Sequence, residues 1–134
     1  MNESPVALVD SNIIIDIVQR DPEWAEWSMT ALSEVERAKV NPIIFAELCY
    51  QETSSDEVDG LLEALSLGFE ELPRAALYLA SQAYRIYCRS GGTKTSPLPD
   101  FFIGAHAAAI GVPIITRDVN RYRTYFPTVA LICP

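Results

Sequence analysis

The sequence predicts an α/β fold built on a mostly parallel sheet. Short apolar runs of strand length alternate along the chain with longer segments of helical spacing, which is the pattern of parallel strands joined by helices. Prolines and one glycine fall where these segments meet, and both residue types end regular elements. The 134 residues are enough for one core. We therefore expect a single domain over residues 1–134, with a central sheet of four to five strands.

The strands and helices are assigned from composition and boundary residues. Five apolar runs predict strands at residues 6–9, 43–45, 69–72, 113–116 and 129–132. The intervals predict helices at about residues 11–19, 23–38, 45–52, 55–66, 74–89, 99–110 and 119–125. The supporting boundary residues are Pro22, Pro42, Pro73, Gly111, Pro113 and Pro127. Residues 89–99 gather glycines, prolines and hydroxyl side chains, and therefore predict a mobile loop.

Net charge and cysteine content limit the classes of function and the cellular locations that fit this protein. The formal net charge of −8 argues against a general nucleic-acid binder, which relies on a basic face. Contact with a polyanion would need a local positive patch or a bound cation. The apolar runs are too short to span a bilayer, the N-terminus is acidic where a secretory signal is basic, and the three cysteines are scattered singly. We therefore expect a cytoplasmic protein without a membrane segment.

Five acidic residues lie in apolar surroundings. Asp10 and Asp118 directly follow predicted strands, at the edge of a parallel sheet where ligand crevices form. Asp100 lies in the first turn of a predicted helix, where the helix dipole favours negative charge. Glu47 lies in the helix after the second predicted strand, and Asp16 interrupts an apolar helical run. The sequence thus directs several carboxylates towards one edge of the sheet.

Two interpretations of these acids remain open. Each acid alone can be structural: Asp10 and Asp118 as helix caps, Asp100 as a first-turn acid. Glu47 alone can be an exposed helical residue. Together they indicate a site, because carboxylates about 5 Å apart repel by roughly 3 kcal/mol per pair at an effective dielectric constant near 20. Such a cluster needs a counter-charge, and all-oxygen ligands favour Mg²⁺ or Mn²⁺ over zinc.

Two basic side chains near Asp100 in the sequence have different predicted roles. His106, the single histidine, is six residues beyond Asp100 and therefore points about 120° away on the same helix. We expect it to be a packing or surface residue outside the acidic cluster. Lys94 lies in the predicted loop that leads to Asp100, and is either a phosphate contact or a solvated side chain.

Four motifs resemble those of PIN-domain ribonucleases along nearly the whole chain. "LVDSNIIID" resembles their D-x-N-x-x-x-D opening, and "AELCY" their helical glutamate. "LPDFFIGAHAAAIG" resembles the helix of the third acid, and "IITRD" the T-x-D ending. The "TRD…RYRTYFP" segment is most similar to VapC toxins of bacterial toxin–antitoxin pairs. The resemblance implies a three-layer α/β/α PIN-like fold.

The resemblance also implies roles by position. It implies an acidic metal site formed by Asp10, Glu47, Asp100 and Asp118. Supporting hydrogen bonds would come from Asn12 and Thr116. Asp16 matches the second aspartate of the opening motif, but a solvated helix face is an equal alternative. Ser11 stands where threonine is more usual, which keeps the hydroxyl group.

The activity implied by the resemblance is metal-dependent hydrolysis of RNA. One or two Mg²⁺ or Mn²⁺ ions would polarise a phosphate oxygen and lower the pKa of an attacking water. Lys94, Arg117 and Arg121 are candidates to neutralise flanking phosphates. The implied partners are an RNA substrate, a cognate antitoxin that blocks the site, often with a basic side chain, and a second copy in a homodimer.

Two other classes of protein compete with a nuclease. A catalytically silent PIN-like module could keep the fold and bind RNA or protein, although retention of all four acids disfavours it. A phospho-accepting receiver domain is also a small acidic α/β protein with a metal pocket. Receivers need a lysine after the last core strand, and none follows residues 114–116.

Overall fold

The computed structural model describes residues 6–94 and 98–134. Within these residues the chain forms five strands: β1 (Val6–Val9), β2 (Arg37–Val40), β3 (Leu67–Phe69), β4 (Ile114–Ile115) and β5 (Leu131–Ile132). The same residues form seven helices: α1 (Ser11–Val18), α2 (Ala25–Ser33), α3 (Pro42–Gln51), α4 (Ser55–Ala64), α5 (Arg74–Arg89), α6 (Pro99–Ile110) and α7 (Asn120–Arg123). Part of the predicted loop at residues 89–99, namely residues 95–97, lies outside the described residues.

The five strands form one parallel sheet in the order β3-β2-β1-β4-β5. The predicted three-layer α/β/α class is confirmed, with five strands at the centre. Leu8 pairs with Ile114 and Val9 pairs with Ile115. Because β1 and β4 are parallel neighbours in this register, the residues that follow them leave the sheet side by side. Their proximity places the candidate site at the carboxyl edge of the sheet.

The second strand was predicted wrongly. Residues 43–45 belong to α3, which begins at Pro42 with the Asn41 side chain accepting a hydrogen bond from the Ile44 backbone N–H at 2.9 Å. An asparagine cap followed by proline at the first helical position is a helix start, whatever the apolar content that follows. The strand is β2 instead, where buried Ala38 and Val40 alternate with the charged side chains of Arg37 and Lys39.

The bounds of other elements also differ from the prediction. The helix predicted at residues 23–38 ends at Ser33, because the chain must turn into β2. The third strand was predicted at residues 69–72 and is found at Leu67–Phe69, directly after a turn in which Ser66 has φ of 58°. β4, β5 and α7 lie inside their predicted ranges but are shorter.

The core is centred on β1, whose residues Ala7, Leu8 and Val9 are at most 1% exposed. Helix α6 packs closely against the segment after α7: a Cβ atom added at Gly104 would overlap the Phe126 ring. This close approach fixes the helix that carries Asp100 relative to the chain after β4. None of the helices in the two described stretches is long and apolar enough to cross a membrane.

Candidate active site

Asp10 is the buried centre of the candidate site. It directly follows β1 and is 0% exposed. Its Oδ1 accepts a hydrogen bond from the Ser11 backbone N–H at 2.8 Å, so it does cap α1. Its Oδ2 accepts hydrogen bonds from the hydroxyl groups of Thr116 at 2.8 Å and Tyr122 at 2.7 Å. Capping therefore accounts for one of its contacts, while the others come from distant parts of the chain.

Thr116 and Asn12 connect Asp10 to the chain after β4. The Thr116 hydroxyl donates to Asp10 and accepts a hydrogen bond from the Asp118 backbone N–H at 3.0 Å. The Asn12 side-chain amide lies 3.4 Å from the Thr116 hydroxyl, and its carbonyl oxygen accepts from the Arg117 N–H at 3.3 Å. Both side chains predicted to support the site thus contact it by hydrogen bonds, and they hold Asp118 near Asp10.

A single guanidinium joins Asp10 to Glu47. Arg121 Nη1 lies 2.7 Å from Asp10 Oδ1, and its Nη2 lies 3.0 Å from Glu47 Oε2. Glu47 projects from α3, and its Oε1 accepts a hydrogen bond from the Ser11 hydroxyl at 3.0 Å. The structure therefore brings Asp10 and Glu47 together around a positive charge supplied by α7.

Asp100 belongs to the same electrostatic neighbourhood. It lies in the first turn of α6, where Pro99 occupies one of the first helical positions. Burial raises the pKa of the Asp100 carboxyl above its ordinary value, and the negative charges of Asp10 and Asp118 add to the increase, while Arg121 opposes it. Asp118 itself is exposed. The predicted acids thus range from the buried Asp10 to the solvent-facing Asp118.

Arg121 and Tyr122 keep their protons in this setting. Burial disfavours the charged guanidinium of Arg121, but the carboxylates of Asp10 and Glu47 outweigh it and raise its pKa further above the ordinary value. Burial and the adjacent Asp10 carboxylate raise the pKa of the Tyr122 phenol. Tyr122 is therefore a permanent hydrogen-bond donor to Asp10.

The donor set fits a hard divalent cation in its chemistry. Asp10 and Glu47 offer carboxylate oxygens, and the Thr116 and Ser11 side chains beside them offer hydroxyl oxygens, the ligands that Mg²⁺ and Mn²⁺ prefer. Among the residues that the structure describes, no three acidic, histidine or cysteine side chains are arranged to hold a metal ion. In this arrangement the Arg121 guanidinium lies between Asp10 and Glu47 and contacts both carboxylates.

The other predicted side chains lie outside this contact network. Arg117 forms a bidentate pair with Asp16, with Nη2–Oδ1 at 2.9 Å and Nε–Oδ2 at 2.5 Å, and its guanidinium lies 5.1 Å from the Trp24 ring centroid. Asp16 is only 4% exposed, so the solvated-face interpretation of this residue is wrong. Lys94 is exposed, and its backbone N–H donates to the Tyr87 hydroxyl at 3.2 Å.

Sequence reasoning missed two features of the site. The hydrogen bond from Tyr122 to Asp10 was not predicted, because 112 positions separate the two residues in the chain. The pairing of Arg121 with Asp10 and Glu47 was also missed, since 111 and 74 residues separate the partners. His106 is fully buried, so the packing alternative is correct for it and the surface alternative is wrong.

Comparisons with known proteins identify a matching family and solved structures with similar folds. The PIN domain family matches residues 7–127. Solved structures with similar folds include VapBC2 from Rickettsia felis bound to a promoter DNA fragment, with a TM-score of 0.69, 15% identity and coverage of 94% of this chain and 96% of that chain. VapBC-1 from nontypeable Haemophilus influenzae has a TM-score of 0.69, 18% identity and coverage of 94% and 96%. DNA-bound VapBC from Salmonella typhimurium has a TM-score of 0.69, 19% identity and coverage of 96% and 97%. No curated protein matches the chain in sequence.

Proposed function

The chain belongs to the PIN domain family, and on that basis we propose that it is a Mg²⁺- or Mn²⁺-dependent endoribonuclease. The observation that carries the proposal is the junction of Asp10, Glu47 and Arg121 at the carboxyl edge of the sheet. The carboxylates of Asp10 and Glu47 share the positive charge of Arg121 there. The negative charges of Asp10 and Asp118 also act on the nearby Asp100 carboxyl. A concentration of carboxylates of this kind is suited to hold a metal against a phosphate.

The chain's own residues would hold and orient the metal ligands. Asp10, Glu47, Asp100 and Asp118 would bind the ion, which when bound supplies a polarised phosphate oxygen and a water of lowered pKa. Thr116 and Tyr122 hold the Asp10 carboxylate in one orientation, since both donate to the same oxygen. Ser11 orients Glu47 in the same way. These supports keep the ligand geometry fixed while substrate enters.

Local positive charge would admit RNA to an acidic protein. With a formal net charge of −8, the protein gains no general attraction for a polyanion. Lys94, Arg117 and Arg121 are the proposed phosphate contacts. Arg117 is held at the edge of the site by Asp16 and Trp24, while the exposed Lys94 is tethered through its backbone to Tyr84 and Tyr87. Each contact would weaken with rising salt concentration.

The proposed biological role is the toxin of a type II toxin–antitoxin pair in the cytoplasm. The similar folds described above come from VapBC structures, which are complexes of this kind. We propose a cognate antitoxin that covers the acidic site, and a homodimer as the state of the toxin. An antitoxin that inserts a basic side chain would meet the same carboxylates that now hold Arg121.

Cleavage of RNA with and without metal tests the proposed activity. We expect the purified full chain to cut a fluorophore-labelled RNA in Mg²⁺ or Mn²⁺ and not in EDTA. Asp100→Asn should lower the rate by at least about 1,000-fold, equivalent to roughly 4 kcal/mol of transition-state stabilisation. The matched control is Glu70→Gln, since Glu70 follows β3 at the same sheet edge but pairs with Lys39.

Two results would reject this function. Cleavage that continues in EDTA would remove the metal from the mechanism. A folded wild-type protein that binds RNA or an antitoxin without cutting RNA would favour the catalytically silent binding module. The contacts of Arg121 with Asp10 and Glu47 support that alternative. Equal loss of activity in Asp100→Asn and Glu70→Gln would indicate a general effect on folding.

A further inference from the structure

The guanidinium of Arg121 uses the acceptor sites that a metal would need. Asp10 Oδ1 accepts from the Ser11 N–H and from Arg121, while Oδ2 accepts from Thr116 and Tyr122. The Asn12 side-chain amide also lies 3.5 Å from Oδ2. Each oxygen of a carboxylate has about two acceptor positions, so these contacts fill the Asp10 carboxylate. A cation can reach Asp10 only by replacing one of them.

Arg121 is the replaceable donor. The Ser11 donor is backbone, and the Thr116 and Tyr122 side chains are 0% exposed, so none of these three can leave without disturbing the core. The Arg121 side chain is 20% exposed and projects from the four-residue helix α7. It is also the group that holds the second oxygen of Glu47. Moving one side chain would therefore free an acceptor on each acid.

We propose that Arg121 is an internal competitor of the divalent metal. Its guanidinium neutralises Asp10 and Glu47 when no metal is bound, and it must leave them before an ion can bind. Two positive groups cannot share these acceptors, because each needs the same carboxylate oxygens and they repel one another. This inference rests on the proposed function, since it needs a metal site at these acids. Arg121 can then contact an RNA phosphate only after the metal has displaced it.

Arg117 provides a matched comparison within the same segment. It too is an arginine bound to a buried carboxylate, but its partner is Asp16 and its guanidinium stacks on Trp24. Asp16 is held by Arg117 and by the Ser28 hydroxyl, at 3.2 Å, and has no contact with Arg121 among the described hydrogen bonds. Removal of Arg117 should therefore leave competition at Asp10 and Glu47 unchanged.

Direct Mn²⁺ binding tests the proposal without a measurement of cleavage. Titrations of the full chain, followed by calorimetry or by the electron paramagnetic resonance signal of free Mn²⁺, should show tighter binding in Arg121→Gln than in wild type. The expected gain is about tenfold or more, because the metal no longer has to break two charge-assisted hydrogen bonds. Arg121→Lys should fall between the two, since lysine keeps the charge without the planar fork. Arg117→Gln should bind Mn²⁺ like wild type.

The possible outcomes separate this inference from the proposed function. Equal or weaker Mn²⁺ binding in a folded Arg121→Gln would overturn the competition and leave the metal site standing. If Arg121→Gln does not fold, Arg121→Lys decides: binding no tighter than wild type would overturn the inference. Failure of wild type and both variants to bind Mn²⁺ at millimolar concentration would overturn the inference and the metal-dependent function together.

Discussion

Two polar clusters at the carboxyl edge of the sheet differ in their charge balance. The first surrounds Asp10. The second begins at Asn41, which follows β2 and whose side-chain amide lies 3.1 Å from His106 Nδ1. His106 Nε2 lies 3.4 Å from Glu70, and Glu70 pairs with Lys39 at 2.8 Å. The second cluster therefore contains one ion pair, one amide and one imidazole.

In the second cluster the charges of Lys39 and Glu70 neutralise each other. Because Asn41 Oδ1 already accepts from the Ile44 N–H, its amide nitrogen is the donor to His106, and Nδ1 is the acceptor. Burial lowers the pKa of the His106 imidazole, although Glu70 opposes this, so the ring is neutral near pH 7. Nothing in this set requires a further ion. Its contacts fix α3 and α6 relative to each other.

The Asp10 cluster, by contrast, has more negative charge than its own residues neutralise. Asp10 and Glu47 share the guanidinium of Arg121, and the charges of Arg121, Asp10 and Asp118 all act on Asp100. Buried polar groups alone do not mark a functional site, since both clusters contain them. The excess of negative charge is what distinguishes the Asp10 cluster, because mutual repulsion of carboxylates favours binding of a positive group. Substitutions in the two clusters should therefore act in different ways.

The largest expected effect on stability belongs to the balanced cluster. Asn41→Ala removes the cap of α3 and the hydrogen-bond donor to the buried His106. We expect a loss of about 2 to 3 kcal/mol in the free energy of unfolding, from a lost cap and an unpaired buried acceptor. Urea unfolding measures it. Ser54→Ala, which removes only the exposed cap of α4, should cost about 1 kcal/mol or less. Equal losses would show that the His106 contact contributes nothing.

Neutralising one acid in each cluster should change the melting temperature in opposite directions, by smaller amounts. Burial and neighbouring acids raise the Asp100 pKa, so its contribution to stability is full below its unfolded pKa and is lost as pH rises through the folded value. Asp100→Asn should therefore raise the melting temperature in EDTA at pH 7.5. Glu70→Gln should lower it, because the hydrogen bond from Lys39 lowers the Glu70 pKa against the effect of burial.

The Glu70 loss should stay below about 1 kcal/mol, since the pair is 29% exposed on each side. Thermal unfolding of both variants beside wild type, monitored by circular dichroism, provides the comparison. A lower melting temperature for Asp100→Asn would assign its carboxylate a mainly structural role at the start of α6.

The smallest effect is a change in the pH dependence of stability. Because the folded-state pKa of His106 lies below its ordinary value of 6.5, the unfolded chain binds the additional proton first as pH falls. Stability from the neutral ring is complete above that ordinary value and declines below it. His106→Gln should reduce the decline in melting temperature between pH 7.5 and 5.5. Parallel profiles for wild type and variant would mean that His106 titrates alike in the folded and unfolded states.

Sequence reasoning located the acids better than the elements that carry them. Asp10 and Asp118 were placed correctly because strand ends in a parallel sheet share one edge. Glu47 also fell at that edge although the strand before it was misplaced, since the helix after any such strand begins there. β2 was missed because strands were assigned from apolar runs, and the charged residues Arg37 and Lys39 interrupt such a run.

The partners of the arginines were beyond sequence reasoning. Arg117 and Arg121 are four residues apart and were both predicted to contact phosphate, yet one pairs with Asp16 and the other with Asp10 and Glu47. The pairing depends on which side chains the folded chain brings near each arginine, over separations of 74 to 111 positions. Local sequence spacing contains no information on contacts of that range.

The most direct test of the account is a crystal structure of the full chain grown with Mn²⁺, with anomalous scattering used to locate the ion. We expect an anomalous peak bound by Asp10 and at least one more of Glu47, Asp100 and Asp118, with the Arg121 guanidinium moved away from Asp10. A peak elsewhere in the molecule, or no peak while Arg121 still bridges Asp10 and Glu47, would contradict it.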